Sequence, residues 1–283
     1  MKNILLPTDF SENSWNAIAY ALKFFEKTNC NFYVLHVNAL SYIAANDSPY
    51  VQDKDFGENT FTKPAKKQLA TLLKRISTDF PENQNHQFFK LTDYNFFVES
   101  VRHQVSEKNI DMIVMGTKGA TGLRKVIVGS NAADVIKKVK CPTLVVPEEA
   151  AFVDLDEIAF PTDYYLNFGV DLLKPLYNIL AVHKSSLQVV HITNKVEDLS
   201  IGQQENKDLL NDYFNKFKTK FYNLANKNVE DAIECFVQSR DIKMVAMVAK
   251  NLNYFQRILF HSKVEEITYH TRIPFLVMHD KMN

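Results

Sequence analysis

The chain repeats itself, and the spacing of that repeat limits what it can fold into. Ile4-Leu5-Leu6-Pro7-Thr8-Asp9-Phe10 returns 154 residues later as Ile158-Ala159-Phe160-Pro161-Thr162-Asp163-Tyr164. Phe32-Tyr33-Val34-Leu35-His36-Val37 returns at an offset of 155 as Leu187-Gln188-Val189-Val190-His191-Ile192. Residues 110–146 align without a gap on 242–278 at an offset of 132, matching Met112 with Met244, Met115 with Met247, Lys118 with Lys250 and Ser130 with Ser262. Colinear blocks of this kind are the mark of tandem duplication. The 283 residues therefore divide into two domains, 1–148 and 149–283. The offset falls from 155 to 132, so about 23 residues of the first copy have no counterpart, and the polar stretch Ala39 to Thr60 holds them. Glu148 to Asp156, polar and small, is the junction.

Within the first copy, short apolar runs alternate with stretches of helical period. Asn3 to Pro7 reads as a buried strand, and Ser11 as the N-cap of a helix whose apolar face includes Trp15, Ile18, Ala19, Leu22 and Phe25. Phe32 to Val37 (strand), Lys63 to Ser77 (helix), Gln87 to Leu91 (strand) and Tyr94 to Glu107 (helix) follow. Asp111 to Met115 (strand), Ser130 to Val139 (helix) and Thr143 to Val146 (strand) complete the copy. Strands joined by helix-length connections pair in parallel, with the connections crossing over the sheet. The expected fold class is α/β, two tandem doubly wound parallel-sheet, Rossmann-like domains.

Composition excludes several functions. Lys plus Arg equals Asp plus Glu at 33 each, which leaves no net field for a nucleic-acid or membrane partner. Cys30, Cys141 and Cys235 are scattered, with no C-x-x-C, so neither a disulfide framework nor a zinc cluster is expected. The N-terminus enters a strand pattern at once, without the marks of a signal peptide, and apolar runs are strand-sized, which points to a soluble protein of the reducing cytoplasm. No nucleophile–base pair or paired carboxylate stands out, so catalysis has no visible machinery.

Glycine is the informative residue. The chain has 7, and Gly116, Gly119, Gly122 and Gly129 fall within fourteen residues, in the loop after the fourth strand. In an open parallel sheet, ligands sit beyond the carboxyl ends of the strands. Three segments of the first copy meet that description: the turn Pro7-Thr8-Asp9, the end of the second strand at Val37, and the glycine loop from Gly116 to Ser130. Positions without a Cβ let backbone amides approach a ligand, and a helix N-terminus offers further amides to an anion. Ser130 adds a hydroxyl, and Lys118, Arg124 or Lys125 a charge. Asp9 suits a cap on the first helix as well as a ligand contact, Val37 suits a core strand position, and His36 and His191 suit structural roles. The spacing is neither a Walker loop nor the dinucleotide G-x-G-x-x-G.

G-x-x-G, nine residues, then G-[ST], with a P-T-D turn at the start, resembles the ATP-binding form of the universal stress protein family. Gly116, Gly119, Gly129 and Ser130 match that pattern, and the likeness extends over the whole chain as two copies. The resemblance implies that Asp9 and Val37 lie at the adenine end, that Met115 lines the base pocket, and that Gly116, Gly119, Gly129 and Ser130 hold ribose and phosphates. It implies ATP or a related adenine nucleotide as cofactor, often with a divalent cation such as Mg on the phosphates. It also implies pairing of the last strands, here Thr143 to Val146 with Phe275 to Met278, as an internal pseudo-dimer, with a homodimer of chains left open. In the second copy the glycines are replaced by Val248, Asn251 and His261, so no tight ATP site is expected there. The expected function is nucleotide-dependent stress signalling. The alternatives are a nucleotide-independent interaction protein with a relic motif, and a slow ATPase or autophosphorylating protein using Thr117, Thr121 or Ser130.

Overall fold

A computed structural model describes residues 1–39, 63–117, 130–165, 169–193, 198–249 and 273–279. They form two compact units that change over between Cys141 and Pro142.

The first unit begins with β1 (Lys2–Pro7), whose Ile4, Leu5 and Leu6 are fully buried. Ser11 then caps α1 (Glu12–Phe24), its side chain accepting from the Ser14 N–H, as its position before a helical pattern predicts. β2 (Cys30–Ala39), α2 (Lys63–Asp79), β3 (His86–Asn95), α3 (Phe97–Glu107), β4 (Met112–Gly116) and α4 (Ser130–Lys138) follow. The sheet order is β3-β2-β1-β4, and every pairing is parallel. Interior aliphatics of β1, β2 and β4 make the core with Ala17, Ile18 and Ala21 of α1.

Two local readings are corrected by long-range pairing. Tyr94 and Asn95 belong to β3, not to the following helix, because β2 runs on to Ala39 and holds them in register with Asn38 and Ala39. Trp15 is only half-buried. Its ring lies under the Arg75 guanidinium at 4.0 Å, and the same guanidinium makes two hydrogen bonds to Glu12, at 2.8 and 3.0 Å, and so ties α2 to α1. The Arg75 hydrogen bond and charge hold the exposed Glu12 carboxyl below its ordinary range.

The second unit repeats the topology. β6 (Glu157–Pro161), a 3₁₀ turn (Val170–Leu173), α5 (Lys174–His183), β7 (Ser186–Thr193), α6 (Ile201–Tyr213), β8 (Thr219–Ala225), α7 (Val229–Arg240), β9 (Met244–Val248) and β10 (Phe275–Met278) succeed one another. The order β9-β6-β7-β8 copies β4-β1-β2-β3. Residues 148–156, between the copies, contain no helix or strand.

β5 (Thr143–Val146) ends the first copy in sequence yet is counted with the second unit. It pairs antiparallel with β10, with Thr143 opposite Val277, Leu144 opposite Leu276 and Val145 opposite Phe275. The last strands of the two copies thus pair, as the resemblance implies. Every residue of both strands is buried, so β10 covers an edge that would otherwise be open to a foreign strand. A chain ending at Glu148 is therefore expected to dimerise through β5. Light scattering will give twice the monomer mass, and Leu144→Lys in the same short chain will return it to a monomer.

Candidate functional site

The turn after β1 is fixed by a chain of short bonds. The Thr8 N–H donates to the Leu35 carbonyl at 2.8 Å, and the Thr8 side-chain oxygen accepts the Phe10 N–H at 3.0 Å. The Thr8 hydroxyl also bonds to Ser14 Oγ at 3.0 Å. The Asp9 carboxylate accepts the Ser11 N–H at 3.1 Å and the Ser11 hydroxyl at 2.6 Å. Phe10 takes a left-handed φ of 64°, which few non-glycine residues adopt without compensating contacts. Here the compensation comes from His36 on β2. Its Nδ1–H donates to the Thr8 carbonyl at 2.8 Å, and its ring packs on Phe10 with centroids 4.4 Å apart.

β4 ends beside this turn. Its pairing with β1, Ile4 with Met112 and Leu5 with Ile113, carries Met115 abreast of Pro7 when continued. Met115 is buried, and Gly116 faces Asn13 in the first turn of α1. A Cβ on Gly116 would meet Asn13 Nδ2 at 2.5 Å and Cγ at 2.9 Å. Asn13 is itself buried, so a Cβ here displaces its amide within the interior, and glycine lets helix and strand approach without that shift.

Of the residues singled out from sequence, Pro7, Thr8, Asp9, Met115 and Gly116 are brought together at the carboxyl ends of β1 and β4. Val37 is half-buried, two residues past the last β1 pairing partner on β2, and opposite Asp93 of β3. Ser130 is exposed as the first residue of α4. Gly119, Gly129, Lys118, Thr121, Arg124 and Lys125 lie outside the described residues. Asp9 does not cap α1, a role Ser11 fills, but closes the turn ahead of it by bonding to Ser11. Asn13 and Ser14 were not visible as site residues, because a polar pair inside a helix pattern reads as solvent-facing, yet both are buried. Among the described residues, no three His, Cys, Asp or Glu side chains cluster to hold a metal.

The second copy rebuilds the same turn. Thr162 N–H donates to Val190 O at 2.9 Å, Tyr164 N–H to Thr162 Oγ1 at 3.0 Å, and Tyr165 N–H to Asp163 Oδ1 at 3.0 Å. His191 Nδ1 lies 2.9 Å from the Thr162 carbonyl, and Tyr164 has φ 60°. The surroundings differ. Gln203 and Asn206 of α6 donate to the carbonyls of Asp163 and Tyr164, at 3.0 and 2.7 Å. Tyr164 is wholly buried and its hydroxyl has no hydrogen-bond partner among the described residues, with burial pushing the phenol up to about 12. Val248, at the place of Gly116, puts a buried side chain where the first copy has none.

The model of the Universal stress protein family matches residues 1–147. The chain belongs to the universal stress protein family. A universal stress protein of Methanocaldococcus jannaschii is 28% identical over 149 residues, covering 51% of this chain and 81% of that protein. Another from the same organism is 29% identical over 154 residues, covering 51% of this chain and 94% of its own length. The crystal structure of a universal stress protein from Archaeoglobus fulgidus covers 97% of both chains with a TM-score of 0.71, and at 17% identity it shows the shared fold. That fold match extends over both copies, whereas the sequence matches in this universal stress protein rest on about half of the chain.

Two substitutions test this geometry. Gly116→Ala, forced against Asn13, is expected to lower unfolding stability by about 1–3 kcal/mol in urea titrations, whereas Gly202→Ala, with open space around its Cβ, will not. Tyr164→Phe removes a buried hydroxyl that has no partner and restores the first copy's residue type, so stability is expected to hold or to rise by about 1 kcal/mol.

Proposed function

We propose that this universal stress protein binds one adenine nucleotide per chain, in the first copy, and signals through surfaces that change with occupancy. The observation that carries this reading is Gly116, set at the carboxyl end of a central parallel strand beside the Pro7-Thr8-Asp9 turn, where a Cβ would displace the Asn13 amide. Carboxyl ends of parallel strands are where open α/β sheets receive ligands. The rest of the glycine motif, Gly119 and Gly129, follows in the sequence before Ser130 opens α4.

The described residues fit such a ligand. Thr8 and Asp9 are held by bonds within the turn, which keeps the site's floor from moving when a nucleotide enters. Val37, half-buried beyond the end of β1, offers an apolar edge to a base. Ser130 presents a hydroxyl at a helix start, where the dipole favours negative charge. Bound ATP would bring a polyphosphate to that helix start, with any Mg carried on the phosphates as the family resemblance implies. The second copy supports an asymmetric stoichiometry, with Val248 in place of the glycine and the turn carbonyls engaged by Gln203 and Asn206.

Isothermal titration of the full chain with ATP and Mg is expected to give one site per chain. Gly129→Val should weaken affinity at least tenfold, about 1.4 kcal/mol, while circular dichroism remains that of the parent chain. Two sites per chain, or none, would overturn the proposal. Loss of a stress phenotype in the Gly129→Val chain supports signalling by nucleotide, and an unchanged phenotype supports the relic reading.

A further inference from the structure

We propose that the second unit carries a separate anion site at the amino ends of its strands, suited to a compact oligophosphate such as pyrophosphate. A depression of about 490 Å³ opens there, before β6, β7 and β8, at the opposite end of the strands from the Thr162-Asp163 turn. This volume is within the range of small-molecule sites. Its rim carries three lysines, Lys184, Lys216 and Lys218, against one carboxylate, Asp156. All three lysines are exposed, and none is in an ion pair among the described residues. Three like charges facing one carboxylate leave a net positive rim, and an anion of two or more charges relieves the remaining repulsion.

The wall supplies a second, independent observation. Ser185 is 3% exposed, and its hydroxyl, enclosed in the wall, has no hydrogen-bond partner among the described residues. Its N–H is already used, donating to the Leu180 carbonyl at 3.2 Å, and the neighbouring Ser186 hydroxyl is spent on the Asp156 carbonyl at 3.0 Å. Leaving a buried hydroxyl unbonded is costly, and since Ser185 lines the depression, a change of its χ1 rotamer brings the hydroxyl to an acceptor held there. Phosphate oxygens are acceptors and carry the charge the lysines call for. Lys184 sits at φ 56°, which ends α5 and turns the chain into β7 at the lip of the depression.

The duplication provides an internal control. Cys30 stands where the 155-residue offset places Ser185, and burial pushes that thiol up to about 12, away from any charged role. In the first copy the same end of the sheet is tied to the end of α1, with His86 Nε2 donating to the Phe25 carbonyl at 3.0 Å and Asn83 Nδ2 to the Glu26 carbonyl at 2.9 Å. At the offset of 131 that relates β3 to β8, His86 corresponds to Phe217, and Asn85 and Gln87 to Lys216 and Lys218. The second copy has therefore put lysines at the end where the first has the His86 and Asn83 bonds, while Ser186 and Thr219 still tie this end to the Asp156 and Phe214 carbonyls.

Amide-resolved NMR titration of the full chain with pyrophosphate tests the site. Saturable shifts are expected at residues 184–186 and 216–218. The Lys216→Gln/Lys218→Gln chain should bind at least tenfold more weakly, and Ser185→Ala at least threefold, while Lys220→Gln, a surface lysine outside the depression, should match the parent. Ser185→Ala should also leave the melting temperature without pyrophosphate unchanged or higher, because no bond is lost. The proposal is overturned by shifts confined to Gly116 and Ser130, by equal weakening in Lys220→Gln, by parent-like affinity in Ser185→Ala, or by a drop in its melting temperature.

Discussion

A histidine on the second strand of each copy holds the turn at the end of the first strand, and the candidate site is built on that bond. Without it, Phe10 and Tyr164 would have to hold a left-handed backbone on local contacts alone, at a cost of roughly 1–3 kcal/mol. With it, the Thr8 and Thr162 carbonyls are each satisfied by an imidazole nitrogen, at 2.8 and 2.9 Å, and the aromatic ring after Asp9 or Asp163 is packed on that imidazole. The bond recurs in the copy that has lost the glycines. Its first role is therefore to shape the backbone, and any ligand specificity must come from elsewhere.

That difference lies in what surrounds the turn. The first copy sets Gly116 against Asn13, so that a Cβ there would displace the Asn13 amide. The second sets Val248 at the equivalent strand position, buries Tyr164 entirely, and spends two amide side chains of α6 on the turn's carbonyls. Hydrogen bonds from Gln203 and Asn206 replace partners that a ligand or water would otherwise supply. The two copies therefore share one turn and differ in the side chains packed around it.

Much of this architecture is legible in the sequence, because it depends on local signals repeated twice. The buried strands, the Ser11 cap and the span of β5 follow from apolar runs and a single hydroxyl ahead of a helical pattern. The end of β3 is not legible, because Tyr94 and Asn95 are held by pairing with Asn38 and Ala39, more than fifty residues away. The burial of Asn13 and Ser14 escapes as well, since a polar pair on a helix reads as surface until a glycine on β4 is known to face it. His36 and His191 were visible as a repeated pair, but the carbonyl each bonds to could be named only from the register of β1 with β2 and of β6 with β7.

Duplication also explains why the two ends of the sheet diverge differently. A parallel sheet has two chemically distinct ends, and in a single copy both must serve the same fold at once. Once copied, each can vary a different end. The first copy keeps the glycine at its strand carboxyl ends and fastens its amino ends through His86 and Asn83 to the last turn of α1. The second fastens the carboxyl-end turn through Gln203 and Asn206, and leaves Ser185 buried and unbonded at the amino end among lysines. Both ends of each sheet carry side-chain bonds to backbone carbonyls, and the copies differ in which residues make them: His86 and Asn83 at the amino end of the first, Ser186 and Thr219 at that of the second. An unpartnered buried hydroxyl does not by itself mark a function, since Tyr164 carries one at the fastened end of the same unit; at Ser185 it is the neighbouring lysines that separate the two cases.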